Sequence, residues 1–174
     1  MTTMTLTMID LDRSQIHNKV DSAIESLRPS CSGPDGVDVK LYVDNSEELS
    51  PCLSRVFSAL LFSAGLVPAG TIAKFALSKL TLVRKKDGGW RPISIASVDY
   101  RIFMKVLLKR FMNHCGFVLS GRQFAFYPRR GDQLFLLSWL RDILPSSDAL
   151  ALIDFSSAFD SAHHRAIERV LTHL

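Results

Sequence analysis

Ile16, Val20, Ala23, Ile24 and Leu27 recur three and four positions apart, the spacing of one helix face, and the pattern stops before Pro29. A polar stretch rich in turn residues, "PSCSGPDGVD", predicts a loop. Leu49, Leu53, Val56, Phe57, Leu60 and Leu61 mark a second helix that closes near Gly65. The period then changes to two. "KLTLV" and "WRPISI" read as strands joined through "KKDGG", where Asp87, Gly88 and Gly89 tolerate positive φ. Val98, Ile102, Phe103, Val106, Leu107 and Phe111 line a long third helix. Gln123 to Arg130 mixes aromatic and basic residues as a loop or strand, and Leu134 to Leu144 predicts another helix before Pro145. "ALALIDF" (149–155) predicts a short buried strand ending at Asp154, with Leu150, Leu152 and Ile153 leading in. Ala162, Ala166, Ile167, Val170 and Leu171 predict a final helix that Asp160 or Ser161 can cap. Residues 1–12 carry no such pattern and are expected to be disordered.

These elements predict an α/β (α+β) fold, mostly helical with one short antiparallel hairpin. With 47% of its 174 residues apolar, the chain has enough for a packed core and is not a disordered sequence. The length suits one domain, or one and a part. Cys31, Cys52 and Cys115 are far apart and odd in number, so neither a disulfide framework nor a paired-cysteine metal site is expected. The N-terminus lacks a basic segment followed by an apolar one, and Gly65, Pro68 and Gly70 break the richest apolar run. A soluble intracellular protein with no membrane span is the expectation. The formal charge of +4 is compatible with a nucleic-acid partner.

Charge matters more where it is concentrated. Arg84, Lys85, Lys86 and Arg91 surround the glycine turn of the hairpin. Cations so placed suit a polyphosphate or a nucleic-acid backbone, Arg91 as a planar fork and the lysines as point charges; the alternative is a solvated basic hairpin. In "GRQFAFYPRRGD", Phe124, Phe126 and Tyr127 lie between Arg122 and the pair Arg129 and Arg130, a mixture that can stack bases and hold phosphates or can simply divide between core and solvent. Asp154 needs the most explanation, because a carboxylate ending a buried strand is costly unless it is paired or holds a metal. His163 and His164 are adjacent and diverge on a helix, so they are not a chelating pair.

In this order the pieces resemble the front half of a reverse transcriptase of the non-LTR retrotransposon (LINE-like) type. "SGPDGVDVKLY" resembles the family's N-terminal "PGPDG" block, and "LVRKKDGGWRPISIASVDYRIFMKVLLKRF" its fingers hairpin and following helix. "RQFAFYPRRGD" is similar to its "Q-x-G-F-x-x-G-R-S" block, and "LIDFSSAFDSAHH" to its first palm motif. Together the blocks cover Ser32 to His164.

The resemblance implies an N-terminal fragment of an RNA-directed DNA polymerase, with fingers over residues 13–148 and the first strand and helix of a palm over 149–174. It implies two Mg²⁺ ions, an RNA template, a DNA primer and deoxynucleoside triphosphates. Asp154 would be the catalytic aspartate and metal ligand, and Phe155 would lend a backbone carbonyl. Lys85 and Arg91 would grip the nucleotide's phosphates, with the backbone of Ser157 and Ala158 near the triphosphate. Phe159 would block a ribonucleotide's 2′-hydroxyl. Gln123, Phe124, Arg129 and Arg130 would lie along the template. Ala125 and Pro128 stand where the family commonly has glycine, and Ser157 where lysine is common. The later acidic palm motif and the thumb are absent from these residues, which implies a chain inactive on its own. The rival reading is a non-catalytic, nucleic-acid-binding remnant of a retroelement.

Overall fold

The computed structural model describes residues 14–115, 133–146, 149, 151, 153–159 and 161–173. The expected disordered N-terminus (1–12), the aromatic and basic segment 123–130, and Leu150, Leu152 and Asp160 lie outside the described residues. Contacts divide the chain into two compact units, residues 1–113 and 114–174.

In the first unit the predicted apolar faces supply the core, except Val56 of the second predicted helix, which is half exposed. Helix α1 (Ser14–Glu25) buries Ile16, Val20, Ala23 and Ile24. The short α2 (Val39–Asp44) adds Val39, α3 (Ser46–Phe62) adds Phe57, and α5 (Val98–Cys115) adds Val98, Ile102 and Val106. Apart from Ala23, each such side chain contributes about 1.5–3 kcal/mol by leaving water. Phe57 also meets Phe103, ring centroids 5.0 Å apart, and Phe75 of α4 (Ala69–Phe75), 6.4 Å apart. Phe75 in turn meets Tyr100 and Phe103 edge-on. A polar pin joins α1 to α3: His17 Nδ1 lies 3.2 Å from the hydroxyl of Ser50, which is fully buried.

Strands β1 (Ser78–Arg84) and β2 (Trp90–Ala96) pair antiparallel, from Ser78 opposite Ala96 to Arg84 opposite Trp90. The Lys85 N–H donates to Gly89 O at 2.7 Å, and Asp87 Oδ1 accepts the Gly89 N–H at 3.1 Å. Gly88, with φ +88°, occupies the left-handed region that the sequence anticipates for this turn. The hairpin buries little, with Leu80 66% and Trp90 61% exposed.

The loop after α1 is tightly built. Gly36 (φ +71°) donates its N–H to Gly33 O at 3.2 Å. Asp35 Oδ1 accepts the Val37 N–H, and Asp38 caps α2 by accepting the Lys40 N–H at 2.7 Å. A Cβ on Gly33 would lie 2.5 Å from both Ser97 N and Ser97 Cα and 2.8 Å from Ala96 C. Gly33 therefore lets this loop pack main chain against main chain at the joint between β2 and α5.

In the second unit, α6 (Gln133–Ile143) runs into a 3₁₀ turn at Leu144–Ser146, and α7 (His164–His173) closes the described chain. The fold class is borne out: helices with one two-stranded antiparallel sheet. The buried strand expected over 149–155 is not. Its described residues have no strand structure and are exposed, Ile153 by 81%. A strand exists only by pairing, and residues 114–174 hold no other strand among the described residues for it to join. The cap expectation is corrected too. Helix α7 begins at His164, and its first N–H donors, Ala166 and Ile167, reach His163 O, so Ser161 lies outside it. Helices α2 and α4 and the 3₁₀ turn Ala64–Leu66 are additions that the apolar period does not mark.

Replacing Gly33 by Ala should cost about 1–3 kcal/mol of stability, the usual range for forced overpacking. Gly65→Ala, where an added Cβ meets nothing within 4 Å, should be near neutral. Urea midpoints of the two variants make the comparison. Equal midpoints would remove the close approach at Ser97 as a constraint.

Candidate functional site

The hairpin turn makes one cationic concavity. Val83, Arg84, Lys85, Lys86, Asp87 and Arg91 line about 470 Å³ of open space. All six are exposed, four of them cations against one carboxylate. Asp87 is already engaged by the Gly89 N–H, so it serves the turn. Cross-strand partners share a face, which puts Arg91 with Val83 and Arg84 with Trp90. Such a rim can hold a triphosphate or a nucleic-acid backbone.

The second candidate is the loop that carries Asp154. One carboxylate oxygen of Asp154 accepts the Phe155 N–H at 2.9 Å. Ser157 has φ 51°, the left-handed region that non-glycine residues seldom enter. The loop then closes on itself: the Ser161 N–H donates to Ser157 O at 2.9 Å, and Ala162 N–H to Phe159 O at 3.2 Å. Phe155 and Phe159 are exposed by 76% and 87%. Asp154 is thus a solvated carboxylate just ahead of a turn rather than the buried end of a strand, which corrects the reason for singling it out. Its exposed carboxylate and the neighbouring main-chain carbonyls are hard oxygen donors, the chemistry Mg²⁺ takes. Among the described residues, no cluster of three or more His, Cys, Asp or Glu side chains converges on it. The donors therefore fit a hard cation as a partial ligand set.

The structure gathers Lys85 and Arg91 around one concavity and Asp154, Phe155, Ser157, Ala158 and Phe159 in one loop. Gln123, Phe124, Arg129 and Arg130 lie outside the described residues. Sequence reasoning missed two features here. The left-handed Ser157 has no local signal, since serine does not demand that conformation. The pairing of Trp90 with Arg84 was missed because the first strand was read only as far as Val83; carrying the two-residue period one position further through the turn gives it.

Comparison with known proteins fixes the class. Residues 83–174, which include both the hairpin's cations and the Asp154 loop, match the reverse transcriptase (RNA-dependent DNA polymerase) family. The chain belongs to that family, and its relatives are of the non-LTR type the motifs resemble. It is 27% identical over 162 residues to the retrovirus-related Pol polyprotein from type-1 retrotransposable element R2 of Nasonia vitripennis, covering 87% of this chain and 15% of that protein. The corresponding polyprotein of Bradysia coprophila is 29% identical over 152 residues, covering 81% of this chain and 16% of the relative. The chain thus spans about a sixth of these curated relatives or less. Among the described residues, no helix is long and apolar enough to cross a membrane.

If the concavity holds phosphates, Arg91→Ala should weaken binding of a nucleoside triphosphate to the 174-residue chain roughly tenfold, the loss of one charge-assisted contact. Isothermal titration at low salt reads it. Unchanged affinity would make Arg91 an ordinary surface residue.

Proposed function

We propose that these residues form the fingers and the start of the palm of an RNA-directed DNA polymerase, residues 13–148 and 149–174 respectively. The observation that carries this reading is the family match over 83–174, which takes in the cationic hairpin and the Asp154 loop together. In the reaction, the primer's 3′-hydroxyl gives up its proton to water and its oxygen attacks the α-phosphorus of a deoxynucleoside triphosphate. One O–P bond forms, the bond to the β-phosphate's bridging oxygen breaks, and pyrophosphate leaves.

Each residue has a role in that reading. Lys85 and Arg91 hold the triphosphate by its charge and so position the α-phosphorus. Asp154 offers its carboxylate and Phe155 its main-chain carbonyl to Mg²⁺, and two such ions supply charge stabilisation at the attacking and leaving oxygens when bound. The turn around Ser157 and Ala158 presents main-chain groups to the phosphates. Phe159, with its ring exposed, fills the space a 2′-hydroxyl would need. Gln123, Phe124, Arg129 and Arg130 follow the RNA template. Two-metal transfer needs several carboxylates, and the family resemblance assigns only Asp154 among these residues. The isolated 174-residue chain is therefore expected to bind nucleic acid without extending a primer. An intracellular setting, where nucleotides and Mg²⁺ are available, belongs to the same proposal.

A chimera tests the roles: residues 1–174 replace the aligned segment of the Nasonia vitripennis polyprotein, and primer extension on RNA is followed. Asp154→Ala should abolish extension. Phe159→Val should raise ribonucleotide use, read as the ratio of kcat/KM for a deoxynucleotide to that for its ribonucleotide. Extension that survives Asp154→Ala would remove the catalytic assignment, and an unchanged ratio would remove the ribose filter.

A further inference from the structure

The C-terminal end of α1 and one side of α5 bring four cations together. Lys105 Nζ donates to the main-chain oxygen and the hydroxyl of Ser26, each at 2.8 Å. Lys109 Nζ donates to Ser22 Oγ at 3.1 Å. Arg101 donates to the Ser30 hydroxyl and, at 3.3 Å, to the Cys31 carbonyl. Burial, and then the nearby charges of Arg28 and Arg101, push the Lys105 ammonium below the usual lysine range. Arg101, Lys105 and Lys109 stand four residues apart on α5, a row with a rise of about 6 Å per step.

A structural role accounts for part of this. The C-terminal carbonyls of a helix favour a cation, which explains Lys105 at Ser26. It does not explain four cations in one place. Among the described residues, none of the four pairs with a carboxylate, and Arg101 Nε is buried without a hydrogen-bond partner. Like charges at this spacing repel, and a bound polyanion would relieve them.

We propose that Arg28, Arg101, Lys105 and Lys109 form a second polyanion-binding ridge, sharing no residue with the hairpin concavity, that takes the phosphate backbone of a nucleic-acid strand. A row of cations flanked by the hydroxyls of Ser22, Ser26 and Ser30 matches repeating phosphate oxygens. The choice of nucleic acid as the polyanion rests on the proposed function.

The test measures binding of a labelled 20-nucleotide single-stranded RNA to the full 174-residue chain by fluorescence anisotropy across a KCl series. Two double variants are compared with wild type: Arg28→Gln with Lys109→Gln on the ridge, and Lys85→Gln with Arg91→Gln on the hairpin. The ridge variant should bind several-fold more weakly at low salt. Its slope of log K against log[salt] should be shallower by about 1.4, from roughly 0.7 per single-strand phosphate contact. The charge-keeping pair Arg28→Lys with Lys109→Arg should retain the wild-type slope. A folded ridge variant with the wild-type slope overturns the ridge, as does a fall in Tm with no change in slope, which would leave these residues as a clamp between helices. If the hairpin variant alone loses slope, the ridge fails and the nucleic-acid reading stands. If wild type shows no salt-dependent RNA binding, both fail.

Discussion

A single main-chain contact, Gly33 against the Ala96–Ser97 joint, organises the first unit. No side chain fits there. The contact ties the loop after α1 to the point where β2 ends and α5 begins. Val98, the next residue, is fully buried, and Ile102 follows one turn later in the same core. The root of the hairpin is therefore fixed by the helical core while its tip projects into solvent. An isolated two-stranded hairpin is marginal in water. This one, with exposed Leu80, Leu82 and Trp90, holds its register through its root and its turn rather than through burial of its own.

The surroundings of that contact show how closely three segments meet. The Tyr42 hydroxyl of α2 is pushed up to about 12 by burial first, then by the charges of Asp99 and Asp35. Those carboxylates come from the start of α5 and from the Gly33 loop. The rings of Phe57, Phe75, Tyr100 and Phe103 pack beneath the same helix start. The block "SGPDG" is thus a structural wedge, and the cations of "RKKDGGWR" are carried on what it holds in place.

Much of this was legible in the sequence, for identifiable reasons. The apolar rows of α1, α3 and α5 are long enough for the helical period to stand out, and the hairpin is bracketed by a turn whose glycine must take positive φ. Helices α2 and α4 are too short to show a period. The segment 149–155 shows the limit of local reading. Its apolar residues suit a strand, but strand formation depends on a partner that local sequence does not display. Asp154 was singled out as the charged end of a buried strand, and its exposure was not foreseen; the motif around it supplied only the role it is given. The ridge of Arg28, Arg101, Lys105 and Lys109 was invisible because its members lie on two separate segments and meet only in the fold.

Residue-resolved hydrogen exchange on the native chain tests the anchoring account most directly. With the hairpin root held by the core, amides of Ile102–Val106 in α5 and Val20–Ile24 in α1 should exchange only through one shared global opening. Amides of the hairpin turn, Lys85 and Gly88, should exchange through far cheaper local openings. Exchange of the α5 amides well before those of α1, or turn amides protected to the global level, would contradict a hairpin held at its root by the core.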